Sequence, residues 1–148
     1  SFPFLPCYHP LSFFFSYFTY AEKWTGETNG GKHGRYGYGV LTYDDGTVFE
    51  GTVRGIYRDE GVITYRSNPT YVKYSGSFLS NEFFDYGTAW YTNGDFYQGY
   101  WVSGLRHGFG ALLRKDGTTE SGLFSNDRLF YGYILDASGR MKQFVYPE

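Results

Sequence analysis

Cysteine and methionine each occur only once in this 148-residue chain, the cysteine at Cys7. A lone cysteine excludes an internal disulfide and any zinc site built from several thiolates, and it leaves the compartment open. An excess of positive charge is also missing. Thirteen Lys and Arg against fifteen Asp and Glu give a net charge of −2, without the basic face that nucleic-acid binding requires. No stretch sustains a helical apolar period, so little helix is expected. No Asn-X-Ser/Thr glycosylation acceptor occurs, because Asn68 is followed by Pro69.

The first twenty residues contain no Lys, Arg, Asp or Glu, and nine of them are aromatic. Pro3, Pro6 and Pro10 interrupt the first half. This is no membrane span, which needs roughly 20 apolar residues in one helix. It also lacks the basic start of an intact secretory signal. The chain begins with Ser1 rather than methionine, which an arbitrary boundary within a longer protein, initiator removal or loss of a targeting peptide would each explain.

What the chain has in quantity is rings and glycine: 24% aromatic residues and 21 glycines. They fall into a repeat. An aromatic-x-Gly triplet recurs at Trp24-Thr25-Gly26, Phe49-Glu50-Gly51, Tyr74-Ser75-Gly76 and Tyr97-Gln98-Gly99, with a degenerate fifth copy at Glu120-Ser121-Gly122. A second glycine anchor follows each triplet, at Gly39, Gly61, Gly87, Gly110 and Gly132. A third follows in turn: Asp45-Gly46, Asn93-Gly94, Asp116-Gly117 and, more loosely, Ser138-Gly139, with Asn68-Pro69 in the second copy. Between anchors the hydrophobic period is close to two, which reads as short strands joined by tight turns. Each repeat is then a β-hairpin, too small to bury its own apolar face and stable only when neighbours stack on it. The strand glycines make room for rings. Gly99 and Gly110 are expected to face Trp101 and its equivalents Val53, Phe78 and Phe124.

Several chemical readings fall to plainer ones. Gly108-Phe109-Gly110 looks like the start of a phosphate loop, but Leu113 stands where the third glycine belongs and no helix pattern follows. His107 falls within one repeat copy and is read as structural, in a hairpin turn. His9 and His33 have no metal-ligand spacing to it or to each other. Asp44-Asp45 and Asp59-Glu60 are read as solvated turn charges, with Asp59 replacing a turn glycine. No residue is assigned a catalytic, metal-ligating or cofactor-binding role.

The run Tyr97-x-Gly99-x-Trp101-x-x-Gly104-x-x-His107-Gly108-x-Gly110, continuing to Asp116-Gly117, resembles the MORN (membrane occupation and recognition nexus) repeat. The resemblance extends over about five copies from 24 to 139, although the His-Gly pair becomes Tyr36-Gly37, Arg58-Asp59, Phe84-Asp85 and Phe130-Tyr131 in the others. It implies an all-β fold: an elongated, twisted and curved antiparallel sheet of consecutive β-hairpins. It also implies scaffolding rather than catalysis. The residues carrying the repeat are Trp24, Gly26, Gly39, Gly51, Gly61, Gly76, Gly87, Tyr97, Gly99, Trp101, Gly108, Gly110, Gly122 and Gly132.

The chain divides into an aromatic, proline-containing docking or capping segment (1–22), a repeat domain (23–140) and a C-terminal tail (141–148). One thin sheet does not bury all its rings, and an uncovered patch marks a partner site. The candidates are Phe13, Phe14, Phe15, Tyr17, Phe18, Tyr20, Tyr100 and Phe109. The expectation is a non-catalytic adaptor, an accessory subunit that binds protein within a larger assembly. It takes no cofactor, small-molecule substrate or nucleic acid. The alternatives are a regulatory module of a lipid kinase or methyltransferase, or a phospholipid-surface module, the latter disfavoured by the acidic balance. The home is expected to be intracellular, either organellar (mitochondrial, if a targeting peptide was removed) or cytoskeletal and ciliary.

Overall fold

The computed structural model describes residues 15–19, 22–29 and 34–148, the first five by backbone alone. Twelve strands follow in chain order: β1 (Phe15–Thr19), β2 (Glu22–Gly26), β3 (Tyr36–Tyr43), β4 (Val48–Arg54), β5 (Tyr57–Thr64), β6 (Tyr71–Leu79), β7 (Glu82–Tyr91), β8 (Phe96–Val102), β9 (Leu105–Leu113), β10 (Thr119–Ser125), β11 (Arg128–Leu135) and β12 (Met141–Val145). They form one antiparallel sheet in that same order, with β1 and β12 outermost among the described residues. The sheet is therefore an open, elongated array of hairpins and not a barrel. It runs past the expected limits of the repeats, since β1 and β12 extend it at either end.

Two kinds of turn alternate along the array. At one side an Asp or Asn accepts the N–H two residues ahead: Asp45 from Thr47, Asn93 from Asp95, Asp116 from Thr118 and Asp136 from Ser138. The bond from the Thr47 N–H holds the Asp45 carboxyl below its usual range. The second copy keeps this device, because Asn68 accepts from Thr70 and Tyr71. At the other side Ser80-Asn81, Ser103-Gly104 and Asn126-Asp127 have positive φ at both residues, the pattern of type I′ turns.

The register explains the glycines. Gly26, Gly39, Gly51, Gly61, Gly76, Gly87, Gly99, Gly110, Gly122 and Gly132 stand opposite one another in a single row across β2 to β11. Beside it on the same face runs a second row: Trp24, Leu41, Phe49, Ile63, Tyr74, Ala89, Tyr97 and Leu112, ending at Glu120 and Ile134. Each ring of this second row lies over the glycines. A methyl group added to Gly110 would sit 2.5 Å from Cζ of Tyr97, and one added to Gly51 or Gly61 would sit 2.9 Å from Cζ of Phe49. The covering ring is thus the aromatic of the triplet itself, Trp24, Phe49, Tyr74 or Tyr97. This corrects the expectation that Trp101 and its equivalents fill that role. The reason is reach: a ring two residues before the glycine, on the same face, folds back over it. Where it has a polar tip, that tip meets the carbonyl three residues on, as Tyr97 Oη donates to Tyr100 O (3.0 Å), Tyr74 Oη to Ser77 O (2.8 Å) and Trp24 Nε1 to Glu27 O (3.0 Å).

Val53, Phe78, Trp101 and Phe124 wall the rings from the far side of the glycine row. Tyr97 meets Trp101 and Phe124 edge-on at 4.9 and 5.2 Å, and Tyr74 stacks on Phe83 at 3.7 Å. Trp101 has its own anchor, an indole N–H donated to the carbonyl of Gly87. These residues belong to the buried core of a sheet on which the described residues build no second layer. Burying each ring contributes about 2–3 kcal/mol.

The His-Gly signature turns out to be a bulge. Between the pairs Gly99↔Gly110 and Trp101↔Arg106, Tyr100 alone opposes His107, Gly108 and Phe109. The same happens where Ser77 opposes Phe84, Asp85 and Tyr86. His107 is therefore inside β9 and not in the hairpin turn, which is Ser103-Gly104. Asp59 likewise is in β5, where it pairs with Arg54 at 2.9 Å.

Candidate functional site

Strand alternation that sends the rings inward sends their neighbours outward. The residue before the second glycine anchor is Tyr38, Tyr86, Phe109 or Tyr131, and Glu60 in the second copy. On β7 to β11 this gives an outer row of Tyr86, Tyr100, Phe109, Leu123 and Tyr131. The bulge at His107–Phe109 brings Phe109 beside Tyr100, and Tyr86 meets Tyr100 edge-on at 5.4 Å. Phe109 is 67% exposed and Tyr100 43%.

Two further outer rows lie parallel to the first. One is Thr88, Gln98, Ala111, Ser121 and Tyr133; the other is Trp90, Phe96, Leu113, Thr119 and Leu135. None of the residues in these three rows carries a charge. The field measures roughly 20 by 14 Å and mixes rings and aliphatic side chains with Thr, Gln and Ser. The corresponding rows on β3 to β6 are different. They run Tyr38, Thr52, Glu60, Ser77; Val40, Glu50, Val62, Ser75; and Thr42, Val48, Thr64, Lys73. Three charges interrupt them, and even Tyr38 is tied by its hydroxyl to Glu50 at 2.6 Å, a bond that raises its pKa. Charge thus interrupts the outer rows of β3 to β6 and is absent from those of β7 to β11, although the Lys73 ammonium reaches over the Trp90 ring at 4.9 Å.

A shallow groove of about 500 Å³ opens over the bulges in the uncharged half, lined by Phe84, Asp85, Tyr100, Trp101, Val102, His107, Gly108 and Phe109. Tyr100 and Phe109, both expected to be partner contacts, lie together in it. Phe15, Tyr17 and Phe18 are on β1, paired along β2 at the opposite edge, so the two sets of candidates are not brought together. Phe13, Phe14 and Tyr20 lie outside the described residues, as do His9 and His33.

Tyr86, Leu123, Tyr131 and the two rows beside them were not singled out from the sequence. Their signal was present: once the anchor glycines point inward, every residue flanking an anchor points outward.

Nothing in the groove pairs a nucleophile with a base. Among the described residues the His107 imidazole has no hydrogen-bond partner. Among the described residues no group of three or more His, Cys, Asp or Glu could hold a metal.

The MORN repeat family model matches residues 29–48 and 97–119. No curated protein matches the chain. The two matched stretches share their anchors with the remaining hairpins, which occupy equivalent places in one glycine row. The chain accordingly carries MORN repeats in these two stretches, on a sheet with an aromatic-rich surface.

Proposed function

We propose that the chain is a scaffold or adaptor subunit that docks the outer face of β7 to β11 on a partner protein. The observation carrying this reading is the absence of charge from those outer rows while rings remain exposed in them. Tyrosine suits such a contact, having a broad apolar body and a polar tip. The partner's matching surface is apolar and uncharged, since a charge buried against this field would find no counter-ion. An anionic bilayer is a poorer match, because no residue of the three rows is Lys or Arg and the Lys73 ammonium at the field's edge is already seated over the Trp90 ring at 4.9 Å.

The test is site-specific photo-cross-linking in an extract of the protein's own cells. A photoreactive phenylalanine at position 109 or 121 is expected to give one adduct of defined mass, and the same group at position 52, in the polar half, none. Equal adducts from position 52, or none from 109 and 121, would overturn the reading. Sedimentation with phosphatidylserine vesicles, lost on substituting Phe109, would replace the protein partner with a lipid surface.

A further inference from the structure

Arg58 and Arg106 are the second residues of β5 and β9, and both fold over the inner rings. The Arg58 guanidinium lies 5.1 Å from the ring centre of Phe78 and 6.0 Å from that of Phe49. That of Arg106 lies 5.8 Å from Phe124 and 5.9 Å from Tyr97. Their counter-charges differ. Arg106 is met by the carboxylate of Asp127, at 2.8 Å from Nε. The equivalent turn residue beside Arg58 is Asn81, an uncharged amide. Its Oδ1 takes the Arg58 backbone N–H and its Nδ2 donates to Ile56 O, so the guanidinium receives only its backbone carbonyl. Nearby carboxylates are engaged elsewhere. Asp59 pairs with Arg54, and Glu22, opposite Tyr43 in the ladder, pairs with Arg35 at 2.5 Å.

The polar groups around Arg58 have protons to give. Its Nη1 donates to the Tyr43 hydroxyl, whose own proton has no acceptor among the described residues. Tyr65, close enough for Arg58 and Tyr43 to act on its ionisation, has a hydroxyl that is likewise without a partner among them. Nη1 and Nη2 of Arg58 each keep a second hydrogen, while Nε is sealed from solvent with no acceptor. A half-buried cation surrounded by donors has lost hydration without gaining a counter-charge. Arg58, Tyr43 and Tyr65 are each only partly buried, which leaves them open to a ligand on the inner face.

We propose that Arg58, Tyr43 and Tyr65 form a receptor for a carboxylate, carried by an acidic side chain of a partner polypeptide. The carboxylate accepts from Nη1 or Nη2 and from the two phenolic hydroxyls, as charge-assisted bonds. It does at Arg58 what Asp127 does within the chain at Arg106. Rings continue beside the receptor, with Tyr65 and Tyr71 at 6.2 Å and Tyr71 and Tyr91 at 5.1 Å. They give the residues flanking the acidic side chain an apolar track, which a free carboxylate would not use. The receptor is on the opposite face from the uncharged rows and independent of them.

The probes are acetate and acetyl-Glu-Phe-amide, titrated at constant ionic strength into the full ¹⁵N-labelled chain. Acetate should bind on the order of 10 mM, moving the Arg58 Nε–H signal and leaving that of Arg106 in place. The peptide should bind about tenfold more tightly. Asn81→Asp, which sets a carboxylate beside Arg58 as Asp127 stands beside Arg106, should abolish both titrations. Should that variant not fold, Tyr65→Phe decides: it should weaken acetate severalfold at an unchanged melting temperature. Equal movement of the two arginine signals, or binding undiminished by Asn81→Asp or by Tyr65→Phe, would overturn the receptor. Equal affinity for acetate and peptide would overturn the polypeptide source. Inorganic phosphate binding more tightly than acetate at the same signals would overturn the carboxylate in favour of a phosphate group. Substituting Phe109 should leave every titration unchanged, so failure here and failure of the outer-face reading are separable.

Discussion

Arg106 holds Asp127 at three points: backbone N–H and Nε both donate to Oδ1, at 3.2 and 2.8 Å, and Nη2 donates to the carbonyl at 2.8 Å. Two hairpins earlier Arg58 meets Asn81 in the same way, through its N–H to Oδ1 and Nη2 to the carbonyl. The difference is one atom of charge. Among the described residues Arg58 has no carboxylate partner and its buried Nε has no acceptor; its charge is faced by the rings of Phe78, Phe49 and Tyr43, as that of Arg106 is by Tyr91, Tyr97 and Phe124.

Asp127→Asn should recreate the Arg58 arrangement at Arg106. Asp127 is partly exposed, so the expected loss is modest, about 1 kcal/mol, and smaller at high salt. Urea unfolding at low and high ionic strength reads it. A loss that is unchanged by salt would show that the ion pair is not its source.

The glycine row makes a sharper demand. Gly110→Ala puts a methyl group against the ring of Tyr97 and should cost more than about 3 kcal/mol, since neither ring nor backbone can withdraw. Gly104→Ala meets nothing within 4 Å but sits at φ +76°. It should cost only about 1–2 kcal/mol, the price of a left-handed alanine. Circular-dichroism melts of the two variants should therefore differ widely, and similar melts would contradict the packing of the ring over the glycine.

The two large bulges allow an exchange. Gly108 has φ +90°, and the corresponding residue in the preceding bulge is Asp85 at φ +61°. Asp85→Gly should raise stability by about 0.5 kcal/mol, and Gly108→Asp should lower it by about 1 kcal/mol. Midpoints of denaturant unfolding moving the same way for both would show that the backbone angle is not what distinguishes them.

Alkali should unfold the sheet through its buried tyrosines. Burial pushes the Tyr65 hydroxyl up to about 12 against a weaker opposing effect of Arg58, and burial likewise takes Tyr97 to about 12. Tyr74 and Tyr91 are raised further, again chiefly by burial. In the unfolded chain these groups ionise near 10. A folded pKa above the unfolded one means that stability is whole below pH about 10 and is lost as pH climbs toward 12. Phenolate absorbance from these residues should rise together with loss of the β signal in circular dichroism. Loss of the β signal well below pH 10 would point to another cause.

Most of this architecture is legible in the residues, and the reason is periodicity. A glycine kept in phase over five hairpins can only be a row, and alternation then assigns each flanking residue a face. What could not be read was which ring covers which glycine, because Tyr97 and Trp101 have the same parity and the same spacing from Gly99. Only the direction of the side chain separates them. The bulge was hidden for a similar reason: His107-Gly108 reads as a turn by composition, and three residues opposing one is a matter of register. The uncharged outer rows were legible in principle, but they emerge only when residues from five strands are aligned at once.

Each seat is made almost wholly within one hairpin: the ring, the glycine two residues on, the facing glycine and the carbonyl that receives the hydroxyl. A tandem duplication of 23 to 25 residues, the spacing between triplet glycines, would therefore carry a complete unit of core with it, wherever in the repeat it began. Such an array can lengthen or shorten by whole periods without redesigning its interior. Insertions that are not whole periods are tolerated only where the chain leaves the glycine row, as the extra residues before Tyr74 do.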